Sequence, residues 1–151
     1  MKKTGSTLLS AVVVLLVMVS ICFAATLIPF PTVGMRDGKK TCDIYYDSDS
    51  LFQQEDGLIG VVTVLDFTPW GVQCRLKDDP GFPPNATMVA ALQMVNLKTN
   101  QLKEIKATYF DANGDMISEA TLDSDWYAPP PGKLSEVPIE IARAWAKENG
   151  K

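Results

Sequence analysis

MVAALQMVNLKTNQLKEIKATYFDANGDMI, residues 88–117, is the stretch on which the fold turns. An apolar run over 88–97 leads to Lys98, Thr99, Asn100 and Gln101, and a second run follows over 102–110. Four polar residues between apolar runs make a hairpin loop of ordinary length. In the second run Ile105, Ala107 and Tyr109 alternate with Glu104, Lys106 and Thr108, so the first three form the expected core face. Asp111, Asn113 and Asp115 then bring three oxygen side chains together, which invites a metal. Nothing later completes a calcium sphere, whereas Asn113 and Gly114 tolerate positive φ, so this is a tight turn into a further strand over 116–122.

Upstream, TCDIYYD over 41–47 alternates as a half-buried strand, and LIGVVTVLDF over 58–67 is a second, rich in β-branched residues. Thr68 and Pro69 break it, and WGVQCRL over 70–76 reads as a third strand. The acidic run over 47–57 lacks the spacing of a calcium loop and is read as a turn. Asn85, Ala86 and Thr87 match a glycosylation sequon, taken as a chance match. Residues 25–40, with Pro29, Pro31, Gly34 and Gly38, show no sustained periodicity and read as a leader or tether.

Downstream, Trp126, Tyr127, Pro129, Pro130 and Pro131 form an extended segment that must lie outside the sheet. They are the candidate binding surface; the alternative is a connection that covers the core. SEVPIEIARAWAKEN over 135–149 is a helix, with Val137, Ile141, Ala144 and Trp145 at helical spacing, Ser135 as its cap, and Gly150 as its stop. The expected fold class is α+β: a six-stranded antiparallel sheet with a C-terminal helix packed on it.

The N-terminus has the anatomy of a secretory signal: Lys2 and Lys3, then LLSAVVVLLVMVSICFAA. Cleavage after Ala24 puts Cys22 and Ala24 where small side chains are required, making residues 1–24 the signal and 41–151 the folded domain. An uncleaved anchor is the alternative, because residues 8–28 carry no charge and suffice to cross a bilayer core of ~30 Å. Both place the domain outside the cytoplasm, in the periplasm or on the outer cell surface. Of the 14 basic side chains Lys2 and Lys3 leave with the signal, so 12 stand against 18 acidic ones, a balance of −6. An acidic chain without a cluster of Lys and Arg is a poor partner for nucleic acid.

Once Cys22 is removed, Cys42 and Cys74 remain as an even pair in an oxidising compartment, the setting in which disulfides persist. A bond between them is expected, tying the first strand to the third and restraining the unfolded chain by roughly 3 to 4 kcal/mol. The alternative is a pair of buried free thiols. The chain has no histidine, which excludes His-assisted nucleophiles and the usual zinc sites, and it has no glycine-rich phosphate loop. No catalytic, cofactor-binding or metal-ligating residue is expected, and the chain is read as a non-enzyme.

The run NLKTNQLKEIKATYFDANGDMI, followed by WYAPPPGKLSEVPIEIARAW, resembles the surface-adhesin protein E family of Gram-negative envelope proteins. Tyr45, Tyr46 and Asp47 match the opening strand of that family. Tyr109 to Gly114 match its turn, Trp126 its tryptophan, and Pro131 to Glu140 the entry to its last helix. Two departures stand out: Asn96 and Leu97 replace an Asp-Cys pair, and Trp145 lies where a partner cysteine belongs. The family's own disulfide is therefore absent, and a Cys42–Cys74 bond would be a different staple. The resemblance implies attachment to host proteins such as laminin, vitronectin or plasminogen, and it carries over no contacting residue. The expected function is protein binding by an exported envelope protein. Its alternatives are a periplasmic structural or stress component without host contact, and a small-molecule carrier with Trp126, Tyr127 and Trp145 lining a pocket.

Overall fold

A computed structural model describes residues 26–151. The expected signal, Cys22 and most of the alternative anchor lie outside the described residues. Among the described residues no helix is long and apolar enough to cross a membrane.

The architecture is an antiparallel sheet with helices packed on it, and the sheet has eight strands rather than six. In chain order they are β1 (Leu27–Pro29), β2 (Gly34–Arg36), β3 (Lys39–Asp47), β4 (Phe52–Gln53), β5 (Ile59–Phe67), β6 (Met88–Asn96), β7 (Gln101–Phe110) and β8 (Met116–Thr121). The order across the sheet is β1-β3-β5-β6-β7-β8, with β2 also on β3 and β4 on β5.

Two of the added strands come from the segment expected to be a tether. Asp37 and Gly38 both have positive φ, at 52° and 72°, and fold β2 back on β3. Two positive-φ residues are what a tight hairpin turn needs, and Asp-Gly is its strongest short signal. β1 pairs with the end of β3, Leu27 opposite Asp47.

The segment expected as a third strand is a helix, α1 (Pro69–Asp78). Thr68 and Pro69 start it rather than break a sheet: Thr68 Oγ1 accepts from the Gly71 N–H at 3.1 Å, and Pro69 occupies the first turn, where its missing N–H costs nothing. The helix lies directly on β3, since a Cβ on Gly71 would stand 1.9 Å from the Thr41 carbonyl oxygen. Only glycine permits that approach.

A short 3-10 turn over Leu134–Glu136 leads into α2 (Val137–Glu148). Ser135 lies in that turn and does not cap α2, whose N-cap position is Glu136. The helix buries Val137, Pro138, Ile139, Ile141, Ala142 and Ala146, with Trp145 half-buried and Ala144 turned to solvent. That face packs on Ile44, Ile59, Val61, Val95 and Leu102 of the sheet. Each such aliphatic side chain contributes about 1.5 to 3 kcal/mol on burial.

The other end of the same sheet face carries Val89 and Ala107, closed by Phe82 of the loop after α1. The Phe82 ring stands edge-on between Phe67 and Tyr109, with centroids at 5.8 and 5.7 Å. The opposite sheet face carries a second apolar set, Val62 and Leu92 with Phe52 and Ile105, and Val64, Ala90 and Phe110 with Tyr45 and Met88.

Ile105 does not share a face with Ala107 and Tyr109. Leu92 pairs with Lys106 while Gln93 pairs with Glu104, so Ile105 is the extra residue of a β-bulge. A bulge reverses the alternation on one side of itself. Ile105 is thereby sent to the far face, against Val62 and Leu92. Glu104 joins Ala107 and Tyr109 on the face that bears the helices.

Candidate functional site

Three cross-strand rows of that helix-bearing face build the site. Ile44, Leu65, Val89 and Tyr109 form one row; Thr63, Ala91, Ala107 and Ala120 the next; Val61, Gln93 and Glu104 the third. Beyond Tyr46, which continues it on β3, the middle row is made of small side chains, so it cannot fill the space between α1 and the start of α2. What remains is a cleft of about 490 Å³. A volume of roughly 300 to 1,000 Å³ is that of a small-molecule site.

The floor is apolar except for two hydrogen-bonded pairs, Thr63 with Gln93 and Tyr127 with Glu104. Thr63 Oγ1 donates to Gln93 Oε1 at 2.9 Å, and Gln93 is 7% exposed. Its carboxamide NH₂ has no protein partner among the described residues. Glu104 stands opposite Gln93 on β7, and its Oε1 accepts from the Tyr127 hydroxyl at 3.1 Å. Tyr127 is held there by its backbone, which exchanges hydrogen bonds with Leu102 at 2.9 and 3.0 Å. Burial, then the neighbouring Glu104 charge and its hydrogen bond, push the Tyr127 phenol up to about 12. The phenol is therefore a donor at any ordinary pH, and the group it donates to is a carboxylate.

Charged groups ring the mouth. Arg36 pairs with Asp78 at 2.6 Å, and that hydrogen bond and charge raise its pKa. Arg75 stands 5.9 Å over the Phe82 ring, and Asp79 Oδ1 accepts from the Gly81 N–H at 3.0 Å. Cys42 and Cys74 also line the cleft, as free thiols and not as the expected disulfide. The reason is the change of element: Cys74 sits on a helix stacked over the sheet, not on a strand in register with Cys42. Burial raises the Cys42 thiol pKa.

The candidate surface read from sequence is placed elsewhere. Trp126, Pro130 and Pro131 are exposed, while Pro129 is buried and Tyr127 half-buried. Trp145 lines a separate cleft with Phe30 and Tyr46, and none of Trp126, Tyr127 and Trp145 lines the cleft between α1 and α2. Thr63, Gln93 and Glu104 carry the cleft's polar chemistry and were not singled out in the sequence. The available signal was a lone polar residue inside an apolar strand: Gln93 in MVAALQMVN and Thr63 in IGVVTVLDF.

A second feature lies at the sheet's margin. β8 is the last strand of its sheet, and the chain after it runs on along β7 in the same direction, Leu122 N–H donating to Ile105 O and Ser124 N–H to Glu104 O. The outer edge of β8 is free among the described residues. Met116, Ile117, Leu122 and Trp126, four of the eight exposed large apolar side chains there, lie on or just after it.

No family model matches the chain, and no curated protein matches it. Among solved structures, one of Haemophilus influenzae protein E is similar with a TM-score of 0.46 at 15% identity, covering 80% of this chain and 96% of that chain. A second crystal form of that protein gives 0.46 at 14%, covering 81% and 97%. The structure of protein E from non-typeable Haemophilus influenzae gives 0.46 at 15%, covering 82% of this chain and 87% of that one.

Proposed function

We propose that this chain is an exported, non-enzymatic protein of the bacterial envelope that acts by binding another protein along the free edge of β8. The observation that carries the reading is that edge itself: backbone groups unpaired among the described residues, beside exposed Met116, Ile117, Leu122 and Trp126. An open edge templates the pairing of an added strand, and protected proteins place charge or proline there. Here the one charged side chain of the strand, Glu119, is engaged with Lys106 of β7. The secretory anatomy of the N-terminus and the motif resemblance support export to the envelope.

The test is binding of the immobilised full chain, at micromolar concentration, to purified envelope proteins and to the matrix and plasma proteins that the resemblance implies. Met116→Lys and Ile117→Lys put charge on the edge and are expected to weaken a partner about tenfold or more while leaving the fold intact. A panel without a single binder, or binding indifferent to both substitutions, overturns the reading. Protease shaving of intact cells then separates the outer surface, where the domain is cut, from the periplasm, where it is protected.

A further inference from the structure

The cleft between α1 and α2 is a second site, sharing only Leu122 with the apolar set of the β8 edge, and its chemistry selects a class of ligand. The row of Thr63, Ala91, Ala107 and Ala120 leaves an apolar floor that no described side chain fills. A cavity of this kind forfeits dispersion contacts on its lining, and a ligand body restores them.

Two polar groups face that floor with capacity to spare. The Gln93 carboxamide is nine-tenths buried and spends its oxygen on Thr63, leaving its NH₂ without a partner among the described residues. Glu104 uses one oxygen for the Tyr127 hydroxyl, a neutral donor, and forms no ion pair: the described salt bridges join Arg36 to Asp78, Lys40 to Asp43, Lys103 to Asp123 and Lys106 to Glu119. A partly desolvated carboxylate without a counter-charge favours a cation that brings its own donors. The β-bulge at Ile105 is what aims Glu104 into the cleft, and bulges serve to re-aim a side chain in this way.

We propose that this cleft binds a small organic amine: a protonated primary ammonium on the Glu104 carboxylate, and an apolar body on Leu65, Val89, Ala91 and Ala107. A hydrogen-bond acceptor on such a ligand is met by the Gln93 NH₂. At Glu104 the cleft thereby discriminates by charge: it prefers the ammonium to a neutral alcohol of the same shape and repels a carboxylate there, while Arg75 at the mouth stacks on Phe82.

The test uses the full chain, isotope-labelled, with the Gln93 side-chain amide pair followed by NMR. The probes are 2-phenylethylamine, 2-phenylethanol and 3-phenylpropionate, which share a body and differ in head group. Saturable shifts of the Gln93 amide are expected with the amine, about tenfold weaker binding with the alcohol, and none with the acid. Glu104→Gln keeps an oxygen for Tyr127 and is expected to lower amine affinity about tenfold, to that of the alcohol. Ala107→Leu fills the floor and is expected to abolish binding of both; should it not fold, Glu104→Gln decides alone. Equal affinity for all three probes, no saturable amine shift up to about 10 mM, or an unchanged Glu104→Gln variant overturns the proposal. So does tighter binding of an acetylated Ala-Lys-Ala tripeptide than of the free amine, which would transfer the site to a protein side chain.

Discussion

Gln93 and Glu104 stand opposite each other across the β6–β7 ladder because Ile105 is looped out beside them. Without that bulge Glu104 and Ala107 would lie on opposite faces, as simple alternation requires. The meeting of the Thr63–Gln93 and Glu104–Tyr127 pairs on one face thus depends on one irregular residue of β7.

The first consequence concerns the Thr63–Gln93 bond. Thr63→Val removes the donor and leaves the Gln93 oxygen in an apolar floor, at a cost of about 1 to 3 kcal/mol. Replacing both partners, Thr63→Val with Gln93→Leu, removes the unsatisfied group as well. The double variant should be less destabilised than the sum of the two singles, and urea unfolding of the four proteins measures the coupling.

Gly71 tests the seat of α1. A methyl group there collides with the Thr41 carbonyl oxygen, and backbone on both sides cannot yield. Gly71→Ala should destabilise by roughly 2 kcal/mol or more, well outside the usual range of surface changes. If α1 lifts from β3 to accommodate it, Cys74 alkylation accelerates in the native protein. Thermal unfolding and the alkylation rate together distinguish lifting from global loss of stability.

The two hairpins around β6, β7 and β8 were legible because their apolar runs are long and their turns carry Asn, Gly and Asp. The helix α1 was not. VQCRL alternates well enough for a strand, and only Thr68 as a cap with Pro69 in the first turn marks a helix start. Short β1 and β2 escaped because three residues show no period; the Asp37-Gly38 turn was the one usable sign. The cleft was invisible for a deeper reason. It arises from Ala91 and Ala107 falling in one row and from a bulge that re-aims Glu104, and both are facts of register between strands rather than of any one strand.

The cysteines give a direct measurement. Cys42 is fully buried with its thiol pKa raised by burial, while Cys74 is half-buried on α1. Reactivity follows thiolate character and access. In the native, unreduced protein Cys74 should alkylate at neutral pH, and Cys42 only on unfolding. Intact-mass spectrometry reads the order; a mass showing no free thiol at Cys42 and Cys74 would contradict the arrangement.

Tyr127 links the cleft to pH. Its phenol rises from the ordinary 10 to about 12, through burial first and the Glu104 charge and hydrogen bond after it. A raised value means that the folded state holds the proton more tightly than the unfolded chain does. Its contribution is therefore fully present below pH 10 and is lost as pH rises through about 12. Other groups titrate in the same window, so the informative quantity is the difference between proteins. Tyr127→Phe should lack this part of the alkaline decline, at the expense of roughly 0.5 to 1.5 kcal/mol at neutral pH for the lost hydrogen bond. Glu104→Gln removes the charge and keeps the burial, so its phenol moves only part of the way back and its decline is shallower. Urea midpoints across the alkaline range for the three proteins check the ordering. If Glu104→Gln followed the parent protein throughout, the carboxylate would not be acting on the phenol.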